Sequence, residues 1–485
     1  MLLAAVTSSP YPSWLNPADN SWQLTAATLV GLMSLPGLAV LYGGIVQRKW
    51  VVNTMLMIFA GFSAVLVVWV LWAYNMGFSN VETVHGVTQA GASLFGAHGT
   101  GFFANFVGDP LPIVTHFGEQ NQAASGANTL IPFHFPTATL AYFQFVFAAI
   151  TPLLFCGSIL ARMKFKAWLL FVPLWTTFVY AIDAKLLWGG GFLAAKGAVD
   201  FSGGYVIHMS AGVSGFVAAA IVGPRLLRDR QHAVPNNLMM AAVGAGILWL
   251  GWNGFNGGDP YYAGASAAGA VINTNVATAV GLLTWLLMDW WFTKSKKPTF
   301  LGAINGMICG LVGITPSAGW VDGYGAIIVG AFCSAVVWLA WNYLSKVRPF
   351  SKVDDALGVV YTHGIAGLLG GLLVGFLADP GMIQYGVTGK VYAAINPANF
   401  QGFNVAGWFY GHSFHQLWEQ FLAAVWVICW SAAVTAILLY IVKFVCRGLR
   451  EKDEMLEIGD VAFHDEEAYP QETFAERVSA MSGAE

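Results

Sequence analysis

The chain consists mostly of long apolar runs separated by short polar segments. Runs close to the roughly 20 residues that a helix needs to cross a membrane recur through most of its 485 residues. They lie at residues 24–46, 53–76, 138–160, 167–187, 205–222, 237–252, 263–292, 300–314, 324–344, 356–377 and 417–444. This pattern predicts eleven transmembrane helices, of which the eighth is the shortest.

The composition agrees with a membrane protein. Hydrophobic residues make up 57% of the chain and charged residues only 10%, and the mean hydropathy is +0.62. A water-soluble domain of this length does not have such a composition. We therefore predict an all-α polytopic protein of the cell membrane, with a transmembrane domain at residues 1–445 and a polar tail at residues 446–485.

The positive charges test the number of spans, because short cytoplasmic loops are enriched in Lys and Arg. Nineteen of the 22 Lys and Arg residues fall in alternate loops and in the tail, and only Lys185, Lys196 and Lys390 lie on the other side. This alternation favours eleven spans, with the N-terminus outside and the C-terminus inside. The tail carries eight Asp and Glu residues between positions 451 and 467, so it is expected to dock on the inner face, to bind a soluble partner, or simply to be solvated.

One polar pattern, Asp-x2-Gly-x4-His-x3-Gly, occurs twice within the apolar runs. Its two copies are Asp200, Gly203, His208, Gly212 and Asp355, Gly358, His363, Gly367. Ionisable side chains inside a membrane are costly and usually functional. Two histidines in matched contexts therefore indicate a path for a substrate.

The spacing of the two copies predicts an inverted repeat. The histidines are 155 residues apart and fall on the fifth and tenth predicted spans. Because five is odd, these spans cross the membrane in opposite directions, as in an inverted-topology repeat whose site lies near the midplane. The predicted halves are residues 22–222 and 237–377, and the helix at 417–444 lies outside the repeat.

Several segments resemble the ammonium transporter (Amt/Mep/Rh) family. The longest runs from Asp200 through His208 to Arg225, and nearly the whole chain is covered by further matches. These lie at residues 143–147, 188–191, 251–256, 315–316 and 354–355. The segments around Trp188 and Asp200 resemble the bacterial type more than the Rh branch, which would move a different gas.

The resemblance implies a homotrimer in which each protomer carries its own path for ammonium or ammonia. It implies that Phe147 and Phe255 stack as a gate above His208 and His363, and it assigns Gln144, on the same span as Phe147, to the substrate path. It implies a transporter and not an enzyme, and no cofactor, metal or nucleic acid is expected. Without the resemblance, buried phenylalanines would be ordinary core residues.

Two residues at the outer end allow two interpretations each. Trp188 could hold ammonium against its ring by a cation–π contact, or it could be an interfacial belt tryptophan. Asp200 could attract the cation, or it could cap the fifth span by accepting backbone N–H bonds; we favour the cap, with an indirect effect on transport.

Asp259 departs from the family pattern. The family commonly has a serine three residues after the asparagine that is Asn256 here, at an outer recruitment site. A carboxylate is a stronger acceptor for a cation than a hydroxyl is. Asp259 could therefore bind ammonium more tightly, or it could be turned away as a loop residue before Pro260.

The expected chemistry of the path depends on a difference between ammonium and potassium. Ammonium and potassium have similar size and equal charge, but only ammonium can lose a proton and continue as a neutral molecule. Neutral imidazole both donates and accepts hydrogen bonds, so His208 and His363 could line a path for ammonia or pass the proton inward. The sequence leaves electroneutral conduction and net ammonium transport open.

Two other functions compete with transport. Intramembrane histidines could ligate a haem, but the other eight histidines lie in loops, at span ends or in the tail. The chain could also sense ammonium and signal through its cytoplasmic tail, with a PII-type regulatory protein as a partner. The stretch from Gly459 to His464 resembles the family's tail, although Asp465 stands where a glycine is common.

Overall fold

A computed structural model of the chain describes residues 11–78, 105–113, 123–125, 132–382 and 405–470. From the sequence we also expect a loop at residues 77–137 between the second and third spans; it lies partly outside the described residues, as do Lys390 and the last part of the tail. The described residues form a bundle of long apolar helices.

Ten helices in the described ranges are long and apolar enough to cross a membrane. They are α1 Pro17–Ile45, α2 Arg48–Phe78, α3 Thr137–Ile159, α4 Phe165–Lys196, α5 Gly204–Val222, α6 Leu238–Gly258, α7 Ala265–Phe292, α9 Gly323–Lys346, α10 Val360–Leu377 and α11 His415–Val445. Between α7 and α9 lies a shorter apolar helix, α8 Phe300–Ile314. The prediction of long apolar helices is confirmed, whereas eleven membrane crossings and the sides of the termini stay predictions.

The helix ends follow local chemistry. The Asn16 side chain accepts the backbone N–H groups of Ala18 and Asp19 and so begins α1 at Pro17, seven residues before the predicted start at Leu24. Asn237 caps α6 and Asp322 caps α9 in the same manner. Hydropathy alone does not show such a start, because the first turn is polar.

Several helices contain π-helical turns, in which one extra residue is accommodated in a turn. They are Met33–Gly37 in α1, Trp69–Ala73 in α2, Thr176–Tyr180 in α4, Gly204–Met209 at the start of α5 and Val360–Ile365 at the start of α10. Helix α4 is also interrupted at residues 188–191. Such turns are frequent at functional sites, and two of them carry His208 and His363.

The packing places α5 and α10 at the centre of the bundle. Helix α5 packs against α3, α11 and the first turn of α10, and α10 packs against α8 and α11. Helix α1 packs against α6, and α7 packs against α8 and α9. Helix α3 is the most enclosed, since nearly every residue from Thr139 to Ile159 is buried.

The two ends of the bundle carry different structures. At one, called the hairpin end here, strand β1 Ala123–Ser125 pairs antiparallel with β2 Pro132–Pro136, which leads into α3. At the other, called the tail end here, two short helices, Asp453–Ile458 and Asp460–His464, follow α11.

The tail is docked at the tail end. The Asp460 carboxylate accepts the N–H groups of Val52 and Asn53, at 2.8 and 2.9 Å, in the first turn of α2. The ring of Phe463 meets Trp50 edge-on at 5.3 Å. Of the predicted alternatives for the tail, docking on the bundle is the one that this geometry supports.

Candidate functional site

The first copy of the repeated pattern forms a tightly capped helix start. The Asp200 carboxylate accepts N–H bonds from Gly203, Gly204, Tyr205 and Val206 at 3.2, 2.6, 2.9 and 2.9 Å. Charge-assisted bonds of this kind are stronger than those between neutral groups. Asp200 therefore caps the start of α5, which is the interpretation favoured from the sequence.

The second copy repeats the same backbone plan. Asp355 accepts the Val360 N–H at 2.8 Å. The pattern glycine has a positive φ in both copies, +111° at Gly203 and +72° at Gly358, a conformation that suits glycine best. In each copy a π-helical turn follows and presents its histidine.

The two helix starts cross at the glycines of the pattern. A side chain at Gly212 would bring its Cβ within 2.2 Å of the Gly364 Cα, and one at Gly367 would lie 2.5 Å from the Gly204 carbonyl oxygen. Only glycine permits such a close approach of backbones. The crossing holds the segments that carry His208 and His363 in direct contact.

The crossing brings the two histidines together. Their ring centroids are 5.5 Å apart, and both side chains are buried. His208 is stacked on Trp252 at 5.3 Å and on Phe255 at 5.8 Å, and neither of its ring nitrogens has a hydrogen-bond partner among the described residues. His363 differs, because its Nδ1 is 2.9 Å from the Thr362 hydroxyl.

An aromatic column leads from His208 toward the hairpin end. The rings of Phe147 and Phe255 are stacked at 4.3 Å with an interplanar angle of 27°. Phe143 follows at 4.7 Å from Phe147. The stacked pair that the resemblance implies is thus present directly above His208.

Trp188 lies beside this column at the interruption of α4. Its Nε1 donates to the Asp200 carbonyl oxygen at 2.6 Å, and its ring meets that of Phe147 edge-on at 6.2 Å. The side chain is half-buried, with its face toward Phe78 at 6.4 Å. The hydrogen bond fixes the indole at the upper edge of the ring pair.

Asp259 is turned inward. It is 7% exposed, and its carboxylate accepts a hydrogen bond from the Ser202 hydroxyl. Nearby in the chain, the Tyr261 hydroxyl accepts the Gln144 Nε2 at 2.8 Å. The sequence analysis singled out Asp259 and Gln144 but missed Ser202 and Tyr261. Nothing in the sequence indicates that Ser202 contacts Asp259 or that Tyr261 contacts Gln144.

On the tail-end side of His363 lies a cavity of about 220 Å³. His363 and Thr362 line its inner limit, and Tyr42, Trp50 and Asp229 are among the residues of its wall. The surroundings are thus tight and aromatic on the hairpin-end side of His208 and open on the tail-end side of His363.

Buried charges outside the spans have shifted pKa values. Burial raises the pKa of Asp200 to about 6, although its four backbone hydrogen bonds lower it, and burial also raises the pKa of Asp355. Burial alone would raise the pKa of Asp354, but the Arg225 guanidinium, 2.7 Å away, outweighs it and lowers the pKa. In the described ranges no group of three or more His, Cys, Asp or Glu side chains is placed to hold a metal ion.

Comparison with known proteins places this geometry among ammonium transporters. The model of the Ammonium Transporter Family matches residues 21–469. Ammonium transporter 3 member 2 of Oryza sativa subsp. japonica is 44% identical over 466 residues, which cover 96% of this chain and 92% of that protein. Ammonium transporter 2 of Arabidopsis thaliana is 44% identical over 460 residues, which cover 94% and 89% of the two chains.

Solved structures give the same result for the fold. The crystal structure of Candida albicans Mep2 superposes with a TM-score of 0.74 at 26% identity and covers 94% of this chain and 93% of that one. Saccharomyces cerevisiae Mep2 gives a TM-score of 0.72 at 26% identity, over 91% of this chain and 89% of that one.

Proposed function

The chain belongs to the ammonium transporter family, and from that premise we propose that it recruits ammonium at the hairpin end, deprotonates it at Phe147 and Phe255, and passes ammonia along His208 and His363. It is a multi-pass protein of the cell membrane and not an enzyme. The observation that carries the proposal is the order of the rings: a stacked phenylalanine pair lies on His208, and His208 lies against His363.

The stacked pair supplies selectivity. A permanent cation such as potassium would have to shed its water between two apolar rings, and an unpaired charge in such a place is very costly. Ammonium avoids this cost because it can leave a proton behind and continue as ammonia. Trp188 contributes an aromatic ring beside the place where the cation would wait, and Asp259 contributes a buried carboxylate.

The histidines supply hydrogen bonding inside the path. A neutral imidazole nitrogen that bears hydrogen donates to ammonia, while the other nitrogen accepts a hydrogen from it. The ring nitrogens of His208 have no partner among the described residues, so they are available to ammonia. If the proton follows through the histidines, net charge moves; if it returns to the outer solution, none moves.

The direction of the path follows from the distribution of charge. At the tail end, Lys49 donates to the Leu456 carbonyl oxygen at 2.9 Å and Arg450 donates to that of Pro224 at 2.8 Å, so basic residues of several loops gather there. Because basic loops favour the cytoplasm, the proposal places the hairpin end outside and the tail end inside. It includes eleven spans in two inverted halves, with α11 outside the repeat.

The proposal also covers the assembly. The family resemblance implies a homotrimer with one path in each protomer. The docked tail, with Asp460 on the first turn of α2, presents the cytoplasmic surface on which a PII-type regulatory protein would act.

Electrical and pH measurements on proteoliposomes test the proposed function. We expect an ammonium jump, but not a potassium jump, to produce a current or a rise of internal pH in the wild type. His208→Ala and His363→Ala should abolish the signal or make it unselective, whereas His232→Ala, which removes an exposed histidine in a loop, should leave it unchanged.

The outcomes separate the alternatives. A current with ammonium alone indicates that the separated proton also crosses, and alkalinisation without current indicates conduction of ammonia. The absence of both signals would overturn transport and favour the sensor that signals through its tail.

A further inference from the structure

Tyr261, in the turn between α6 and α7, has a backbone conformation that large residues rarely adopt. Its φ is +61°, in the left-handed region where a bulky residue is an outlier. Such strain persists only where the surroundings enforce it, and it concentrates at functional sites. Tyr261 also lies at the hairpin end of the aromatic column, 6.0 Å from the Phe143 ring.

The surroundings that enforce this conformation are on both sides of the ring and at its hydroxyl. The ring is stacked on Phe133 of strand β2 at 4.6 Å. The hydroxyl accepts a hydrogen bond from the Gln144 Nε2 at 2.8 Å. One side chain thus joins the hairpin, helix α3 and the turn after α6.

The hydroxyl determines which way the Gln144 amide faces. A tyrosine hydroxyl can both donate and accept, and here its oxygen accepts the Gln144 Nε2 hydrogen at 2.8 Å. The amide thus presents its nitrogen to Tyr261. The Gln144 Oε1 is then directed away from Tyr261.

The Gln144 Oε1 requires a hydrogen-bond donor. Gln144 is 1% exposed, and its Oε1 has no hydrogen-bond partner among the described residues. Buried acceptors are nearly always satisfied, and Gln144 lies between Phe143 and Phe147 in the sequence of α3, at the level of the aromatic column. Ammonium carries four N–H donors and is small enough to meet an acceptor in such a place.

We propose that Tyr261 is the positioning residue of ammonium recognition: its hydroxyl aims the Gln144 carbonyl oxygen, and its ring limits the size of the opening. This inference rests on the proposed function. Tyr261 acts through Gln144 and takes no part in the proton transfer.

Concentration dependence of transport distinguishes positioning from packing. Tyr261→Phe keeps the ring contacts and loses the hydroxyl, and we expect the apparent KM for ammonium to rise about tenfold with the maximal rate preserved within about twofold. Tyr262→Phe, in the same turn with its ring against His134, is the matched control and should not change KM. An unchanged KM in Tyr261→Phe would reduce Tyr261 to a packing residue.

A double-mutant cycle tests the route through Gln144. In a Gln144→Leu background, Tyr261→Phe should have little further effect on KM, because the oxygen that it aims is gone. Independent, multiplying effects would overturn the proposal, even if each single variant is impaired.

Size selection gives a second measurement. Tyr261→Ala should raise the rate for methylammonium relative to ammonium, and an unchanged ratio would contradict the role of the ring. Failure of the proposed function would look different, since the wild type itself would then show no ammonium-dependent signal.

Discussion

The two copies of the histidine pattern share a backbone design but differ in their surroundings. In both, an aspartate caps a π-helical turn, a glycine has a positive φ, and the histidine is presented at the crossing of α5 and α10. His208 is enclosed by Trp252 and Phe255, whereas His363 borders a cavity of about 220 Å³. The backbone therefore fixes where each histidine lies, and the neighbouring side chains decide what it meets.

This difference suits two distinct steps along the proposed path. The enclosed side is where a cation would have to lose its water or its proton, because the rings leave no polar partner for it. The open side is where ammonia could be hydrated and regain a proton. A symmetrical pair of histidines with equal surroundings would not separate these two steps.

The largest effect on the free energy of unfolding is expected at the two aspartate caps. Asp200→Ala leaves up to four buried N–H groups unsatisfied, at about 1–3 kcal/mol each, so unfolding free energy should fall by at least about 3 kcal/mol and transport should be lost. In the described part of the chain, Asp355 accepts one backbone N–H bond of good geometry, from Val360. Asp355→Ala should therefore cost less, about 1–3 kcal/mol.

Thermal unfolding of the purified variants in detergent, compared at equal protein concentration, checks this order. Asp200→Asn, which keeps one acceptor oxygen, should lie between the wild type and Asp200→Ala. Equal losses at the two positions would show that the copies are equivalent and would remove the basis of the comparison.

The crossing glycines should give an intermediate effect that depends on which side is changed. A Cβ at Gly212 would lie 2.2 Å from the Gly364 Cα, while one at Gly364 would lie 3.3 Å from the Gly212 Cα. Gly212→Ala should destabilise by roughly 1–3 kcal/mol, as overpacking does, and slow transport; Gly364→Ala should do less.

Gly246→Ala is the matched control, since an added Cβ meets nothing within 4 Å there. In a helix interior this change should stabilise slightly. Unfolding midpoints and ammonium-dependent signals measured together check the series, and a loss in Gly246→Ala as large as in Gly212→Ala would refute the steric explanation.

The sequence predicts much of this architecture for a simple reason. Membrane spans can be recognised by their length and hydropathy, and His208 and His363 can be recognised because ionisable residues are rare in such apolar runs. The pairing of Phe147 with Phe255 came from the family resemblance, because a buried phenylalanine carries no distinctive signal of its own.

Other features depend on packing that the sequence does not encode locally. The π-helical turn at Gly204–Met209 adds a residue to a turn without disturbing the apolar pattern. The positive φ of Tyr261 is set by its contacts with Phe133 and Gln144, which are distant in sequence. The early start of α1 does have a local signal, the Asn16 cap before Pro17, but this signal is missed when the helix start is predicted from hydropathy.

The smallest effect is expected at Thr362, which gives His363 a partner that His208 lacks. The Thr362 hydroxyl lies 3.2 Å from the Gly358 carbonyl oxygen, to which it donates, and 2.9 Å from the His363 Nδ1. A hydroxyl that donates its one hydrogen to Gly358 accepts from His363, and in that arrangement Nδ1 bears the hydrogen and Nε2 is the acceptor.

Thr362→Val keeps the shape, removes the hydroxyl and leaves the tautomer of His363 free, as it is at His208. The loss of about one hydrogen bond, roughly 1 kcal/mol, should lower the maximal rate of ammonium transport several-fold. The apparent KM should stay unchanged, because recruitment at the hairpin end does not involve Thr362.

Thr278→Val, which removes a hydroxyl that donates to the Thr274 carbonyl oxygen at 2.6 Å, controls for the loss of a buried hydroxyl as such. A maximal rate that falls equally in both variants would mean that the fixed tautomer of His363 is irrelevant, and the difference between the two histidines would then reside in their aromatic and open surroundings alone.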